Sequence, residues 1–173
     1  MSEIILSVHD KKLLFQYAQN APNIEVCALL FGKGNKVKHI FLTDNIEKSP
    51  VHFTISSEQL IEGYKIAEDK KMDVIGIFHS HPHNQAYPSN TDFKFMLLDK
   101  EYVWIIYSGI DKKFMAWTIE DKPETRIGED IYEVQIDWSE NNLSNVSCAE
   151  TSIKGILQQH KNIYGQVLGM ESK

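Results

Sequence analysis

Two hydrophobic periods divide this chain. Short continuous apolar runs, Val26-Cys27-Ala28-Leu29-Leu30-Phe31 and Val74-Ile75-Gly76-Ile77-Phe78, are bounded by polar or turn residues. Runs of that kind read as strands covered on both faces. Between them lie stretches with apolar residues at helical spacing. Ser7 stands three residues before Asp10, a capping signature that opens a helix through about Asn20 with Leu14, Tyr17 and Ala18 as its buried stripe. Ser56 or Ser57 caps a second helix through about Lys70, where Leu60, Ile61, Tyr64 and Ala67 recur on one side.

Taken in order, Ile4-Ile5-Leu6 reads as a first strand, and Ala21-Pro22-Asn23 breaks the helix that follows it. A strand from Glu25 to Gly32 turns through Gly32-Lys33-Gly34-Asn35 into a hairpin partner, Val37 to Thr43. Asp44 to Pro50 is a loop, and Phe53-Thr54-Ile55 a brief strand. Ser89 caps a short helix beginning at Asn90, and Tyr102 to Ser108 and Phe114 to Ile119 form two more strands joined at Gly109-Ile110-Asp111. After a polar link, 121–130, Ile131 to Trp138 adds an edge strand. The fold class expected is α/β, with a central mixed β-sheet flanked by helices.

Beyond residue 138 the pattern changes. Ser139 to Ser147 is rich in Ser and Asn and reads as a linker, and Thr151 to Tyr164 places Ile153, Ile156, Leu157 and His160 on one helical face. The expected organisation is one folded domain over 1–138 and a linker with an amphipathic helix over 139–173. Such a helix packs back on the domain by default, and the alternative is a homo-oligomer built through it.

Composition narrows the class. A chain of 173 residues, 42% hydrophobic and 24% charged, is one globular domain in size and character. A formal charge of −6, with the short Lys33 to Lys38 cluster as its basic segment, argues against nucleic acid as the main partner. Cys27 and Cys148 are too few and too distant for a disulfide scaffold, and Cys27 in an apolar run is an inert thiol. With no basic start leading into a long apolar run, and nothing approaching the ~20 apolar residues of a membrane span, the expectation is a cytoplasmic protein without membrane association.

The candidate chemistry lies between His79 and Asp92. His79 and His81 sit two residues apart at the end of the Val74 strand, so both imidazoles share a face. Pro82 then stops the strand. Asp92 falls in the first turn of the helix capped by Ser89, where it can reach back toward the strand end. Two His and one Asp suit a divalent ion such as zinc, and three protein ligands leave a fourth position for water, the mark of a catalytic site. Glu25, a carboxylate at the mouth of a buried strand, is the candidate general base. Taken singly, either histidine reads as a hydrogen-bonded side chain at a strand end, Ser89 with Asp92 as a capping pair, and Glu25 as an ion-pair partner. Their joint occurrence in this order favours the site.

Glu25, the His79-Ser80-His81-Pro82 block, and Ser89 and Asp92 at their spacings resemble the JAMM/MPN metalloproteases, which include deubiquitinases and prokaryotic relatives. The resemblance runs from about Ile4 to about Ile119. It implies an α/β sandwich related in arrangement to the cytidine deaminases, with one zinc ion per chain held by His79, His81 and Asp92. It further implies Glu25 as general acid/base and Ser89 as the hydroxyl that steadies an oxyanion. Ser80 would face away and orient the loop. Ala28 departs from the Gly that many relatives carry there, which bears on local strand packing. His83 is expected to line the cleft, and His9, His39, His52 and His160 read as surface or helix-face residues.

The substrate so implied is the peptide or isopeptide bond after the C-terminal Gly of a ubiquitin-like or sulfur-carrier protein conjugate. The short loops at 44–50 and after Asp92 fit a compact prokaryotic type. Three rivals stand beside it: a non-catalytic scaffold of the same fold, a relative that releases a small amine such as cysteine from a sulfur carrier, and a zinc deaminase. The deaminase requires His-x-Glu and Pro-Cys-x-x-Cys, neither of which occurs.

Overall fold

In the computed structural model, which describes residues 1–120, 130–139 and 144–149, the apolar runs become ladders of one mixed sheet. The elements in chain order are β1 (Glu3–Ser7), α1 (Val8–Gln19), β2 (Cys27–Lys33), β3 (Lys36–Thr43), α2 (Ser57–Asp69), β4 (Asp73–His81), α3 (Asn90–Met96), β5 (Val103–Ser108), β6 (Phe114–Glu120), β7 (Asp130–Ser139) and β8 (Asn145–Cys148). Among the described residues the strand order is β1-β7-β6-β5-β4-β2-β3-β8, and β1 also meets β3 at Ile5 and Lys36, so the sheet curls back on itself. The β4–β5 pair is parallel and the β2–β3 and β2–β4 pairs antiparallel, which makes the sheet mixed as expected. No helix among the described residues is long and apolar enough to cross a membrane.

The central strands are apolar throughout because both of their faces are covered. Along β2, Ala28 and Leu30 join the core under α1, with Ile4, Leu14 and Phe78, while Leu29 and Phe31 join Phe41 and Ala67 under α2. A third cluster, Met96, Trp104 and Ile106, lies under α3. These clusters fix the register of β4. A slip by one residue would bring Phe78 out of the core and turn Ser80 to the side where His79 and His81 now point. Each large side chain so displaced forfeits about 1.5–3 kcal/mol of burial, and this is why the two histidines stay aligned.

Several expectations are corrected. Helix α2 buries Gln59, Gly63 and Ala67, while Ile61 and Tyr64 are about half exposed. Gly63 is the cause: a Cβ there would meet Leu29 Cδ1 at 2.8 Å, so the helix packs by its glycine, with Leu60 and Ile66 flanking it, and turns Ile61 and Tyr64 outward. Phe53–Ile55 forms no strand and runs as an extended loop. β7 is an interior strand, parallel to β1 and antiparallel to β6, where an edge strand was expected. The polar stretch expected to be a linker contains β8, which pairs with β3 from His39–Asn145 to Leu42–Cys148. His39, expected at the surface, is buried between Phe31 and β8, with its Nε2 2.7 Å from Ser147 Oγ. The link 121–129 and the helix expected over 151–164 lie outside the described residues.

Candidate metal centre and its cleft

Strand β4 runs through both histidines before Pro82, and its last rungs pair His79 with Ile106 and His81 with Ser108 on β5. α3 then starts at a full capping box: Ser89 Oγ accepts from the Asp92 N–H at 3.1 Å, and Asp92 Oδ2 accepts from the Ser89 N–H at 2.7 Å. That exchange satisfies helix-start donors that would otherwise be orphaned. It also aims the Asp92 carboxylate at the strand end.

The three expected ligands converge. His79 Nε2 and His81 Nε2 lie 3.0 Å apart, and each is 3.3 Å from an oxygen of Asp92. With bonds of about 2.0–2.1 Å, the edge of a tetrahedron around zinc is roughly 3.3 Å, so this spacing fits such an ion. Three groups that each offer a lone pair, buried and this close, could hold one cation between them. The site's burial agrees: the three residues are 0–4% exposed.

Their surroundings fix their orientation. His81 Nδ1 lies 2.8 Å from the Gln85 carbonyl, which sets its tautomer so that Nε2 faces the centre. His79 is held otherwise: its Nδ1 has no hydrogen-bond partner, while Phe53 stacks on the ring with centroids 4.7 Å apart and Trp104 meets it edge-on at 5.8 Å. Burial holds His79 below its ordinary pKa against the pull of Asp92. For His81 burial acts downward too, but the bonds to Asp92 and the Gln85 carbonyl, with the Asp92 and Glu25 charges, hold it above. Burial would raise Asp92, yet His79, His81 and the Ser89 side chain keep it well below the usual carboxylate range.

Glu25 sits just before β2, 3% exposed, with Oε1 3.9 Å from His81 Nε2. Burial pushes its carboxyl up to about 8, opposed by His81 and reinforced by Asp92. The segment is held by Ser80, whose hydroxyl accepts from the Val26 N–H and whose own N–H donates to the Val26 carbonyl, both at 3.0 Å. Ser80 thus faces away from the ligands and orients the Glu25 segment. Sequence reasoning missed Asn45. Its amide donates to the Glu25 carbonyl at 3.0 Å and to His52 O at 2.8 Å, and its Oδ1 accepts from the N–H groups of Glu47 and Thr54. An Asn in a loop gives no signal beyond ordinary turn chemistry.

The cleft in front of these groups measures about 720 Å³. Glu25, His81 and Ser89 open onto it, along with Val51, Tyr87 and Ile110. The Ser89 hydroxyl accepts from the Asp92 N–H at the rim of this cleft. His83, expected to line the cleft, is exposed, and Asn84 and Gln85 line it instead. Cys27 takes no part: burial pushes its thiol up to about 12.

The sequence matches the family model described as "Prokaryotic homologs of the JAB domain" over residues 10–120. Desampylase of Pyrococcus furiosus is 30% identical over 123 residues, which is 70% of this chain and 84% of that protein. The Lys-63-specific deubiquitinase BRCC36 of Camponotus floridanus is 31% identical over 107 residues, covering 54% of this chain and 42% of the relative. A protein from Desulfitobacterium hafniense solved in solution shares the fold with a TM-score of 0.65 and 26% identity, over 80% of this chain and 94% of that one.

Proposed function

The chain belongs to the prokaryotic JAB-domain family within the JAMM/MPN group, and from that premise we propose that it is a zinc-dependent hydrolase of ubiquitin-like or sulfur-carrier protein conjugates. The bond cut is the peptide or isopeptide bond after the modifier's C-terminal Gly. The observation that carries this reading is the meeting of His79, His81 and Asp92, with ligand atoms within 4.8 Å of one another and the Glu25 carboxylate beside them. His79, His81 and Asp92 would hold one ion per chain. When bound, zinc supplies Lewis acidity and acidifies water toward neutrality.

The chain's own groups supply the rest. Glu25, buried beside the three ligand groups, takes the proton of the attacking water and returns it to the leaving amine. The Ser89 hydroxyl donates to the oxyanion of the tetrahedral intermediate, a contribution that costs no reorganisation because α3's capping box already fixes its position. Gln85 and Phe53 keep the imidazoles aimed. The flexible tail of the modifier lies in the cleft between Val51, Tyr87 and Ile110.

Names of relatives support the substrate class: a desampylase and a Lys-63-specific deubiquitinase. The test is cleavage of a purified ubiquitin-like conjugate, with and without a chelator, followed by zinc readdition. Turnover that stops with the chelator and returns with zinc is the expected result. Turnover that persists through chelation rejects the mechanism. Parallel substrates with a lysine side chain or free cysteine as leaving group separate an isopeptidase from a hydrolase that releases a small amine.

A further inference from the structure

A groove of about 310 Å³ runs along the start of α1 and the β5–β6 turn, outside the cleft. Its lining mixes three lysines, Lys11, Lys12 and Lys112, with Val8, Phe15 and Phe114. Val8 and Phe15, one above the other on the same helix face, are 40% and 38% exposed. In a chain of net charge −6, three cations gathered around apolar side chains form a local field opposite to that of the whole. Asp10, on the same helical turn, turns its carboxylate inward to the Ser7 N–H and the Ser144 hydroxyl and is not among the groove's lining residues. Lys11 is braced over the Trp138 ring at 5.1 Å.

The groove and the cleft share a wall. Within the β5–β6 turn, Ile110 lines the cleft with Glu25 and His81, and Lys112, two residues on, lines the groove. The turn is tied to the ligand loop: the Gly109 N–H donates to the His81 carbonyl at 2.9 Å, and Ser108 Oγ donates to the Asn84 carbonyl at 2.8 Å. A Cβ on Gly109 would meet the Pro82 carbonyl at 2.3 Å, so the approach is as close as backbone allows. The groove and the cleft therefore lie on either side of one fixed turn.

We infer that this groove docks an acidic segment bearing an aliphatic or aromatic side chain, contributed by the conjugate whose bond lies in the cleft. The assignment of that segment to the conjugate rests on the hydrolase reading above; the choice of an acidic polypeptide rests on the groove. Carboxylates pair with the three lysines, and an apolar side chain covers Val8, Phe15 and Phe114. A nucleic-acid backbone would meet the charges but leave the apolar surface bare, and the chain's overall negative charge repels a long polyanion.

The test uses the full-length protein stripped of metal and a labelled peptide of about ten residues, Asp and Glu around a central Leu-Phe. The double variant Lys12→Gln/Lys112→Asn should weaken peptide binding by about fivefold to tenfold, with a steep salt dependence. Asn tolerates the positive φ of 56° at position 112, so the turn survives. The control Lys33→Gln/Lys65→Gln removes equal charge elsewhere and should change binding less than about twofold. With metal restored, KM for the conjugate should rise by the same factor in the groove variant while kcat holds.

Equal weakening by the control pair overturns the proposal. So does an oligonucleotide that outcompetes the peptide, or a groove variant whose altered mass in solution shows a second copy seated there. Because peptide binding is read without turnover, a wild type that binds the peptide yet hydrolyses no conjugate rejects the hydrolase reading and leaves the groove standing. Intact hydrolysis with peptide affinity unchanged by the groove variant rejects the groove alone.

Discussion

His79, His81 and Asp92 are carried by two elements adjacent in the chain, β4 and α3, each of which satisfies its own backbone through a ladder or a capping box. Glu25 lies in a segment without a ladder of its own, held by Ser80 from β4 and by Asn45 and Ser49 from the following loop. One side of the cleft is thus preassembled by local structure, and the other depends on a few hydrogen bonds between residues distant in sequence. The division predicts that ion binding and proton transfer can be damaged separately.

The largest effect falls on the preassembled side. His81→Ala removes one of three ligands and leaves Asp92 buried with a single imidazole, so bound zinc and turnover should both be lost, the latter by roughly a thousandfold or more; zinc analysis with single-turnover kinetics reads both. Asn45→Ala acts on the other side. It frees the Glu25 carbonyl and the loop through Thr54, and turnover should fall about tenfold while zinc stoichiometry stays at one per chain. Loss of zinc in Asn45→Ala would erase the separation of the two sides.

The smallest effect lies outside the cleft and serves as its control. Burial lowers His39 to about 4, with Lys70 adding to the shift, and the groups facing it are Phe31 and the Ser147 hydroxyl of β8. The unfolded chain therefore takes up this proton first. Stability from the neutral His39 is complete above the ordinary histidine pKa of ~6.5, is lost as pH falls, and reaches its full loss near 4, at most about 3 kcal/mol. His39→Gln should flatten that acid slope in denaturant melts and leave turnover at neutral pH unchanged.

What could be read from sequence follows the same division. The β4 run, the His-x-His spacing and the Ser89–Asp92 cap are local patterns, so the convergence of His79, His81 and Asp92 was legible residue by residue. Asn45 was not, because its bonds to Glu25, His52 and Thr54 join positions that the fold brings together. β7 was taken for an edge because its alternation says nothing about β1, which comes from the opposite end of the chain and pairs parallel with it. β8 is short and polar, and becomes a strand because β3 offers it a free edge. In α2, the larger side chains of Ile61 and Tyr64 suggested the buried face. The close approach that Gly63 permits decided it.

The central claim is that a cation-binding cradle and a separate proton carrier face one another across the cleft. Glu25→Gln tests it most directly, with zinc per chain and kcat measured on the same preparation. The account predicts one zinc per chain retained and kcat lowered by about 10²–10⁴-fold. Unchanged turnover, or zinc lost together with the carboxylate, would contradict it.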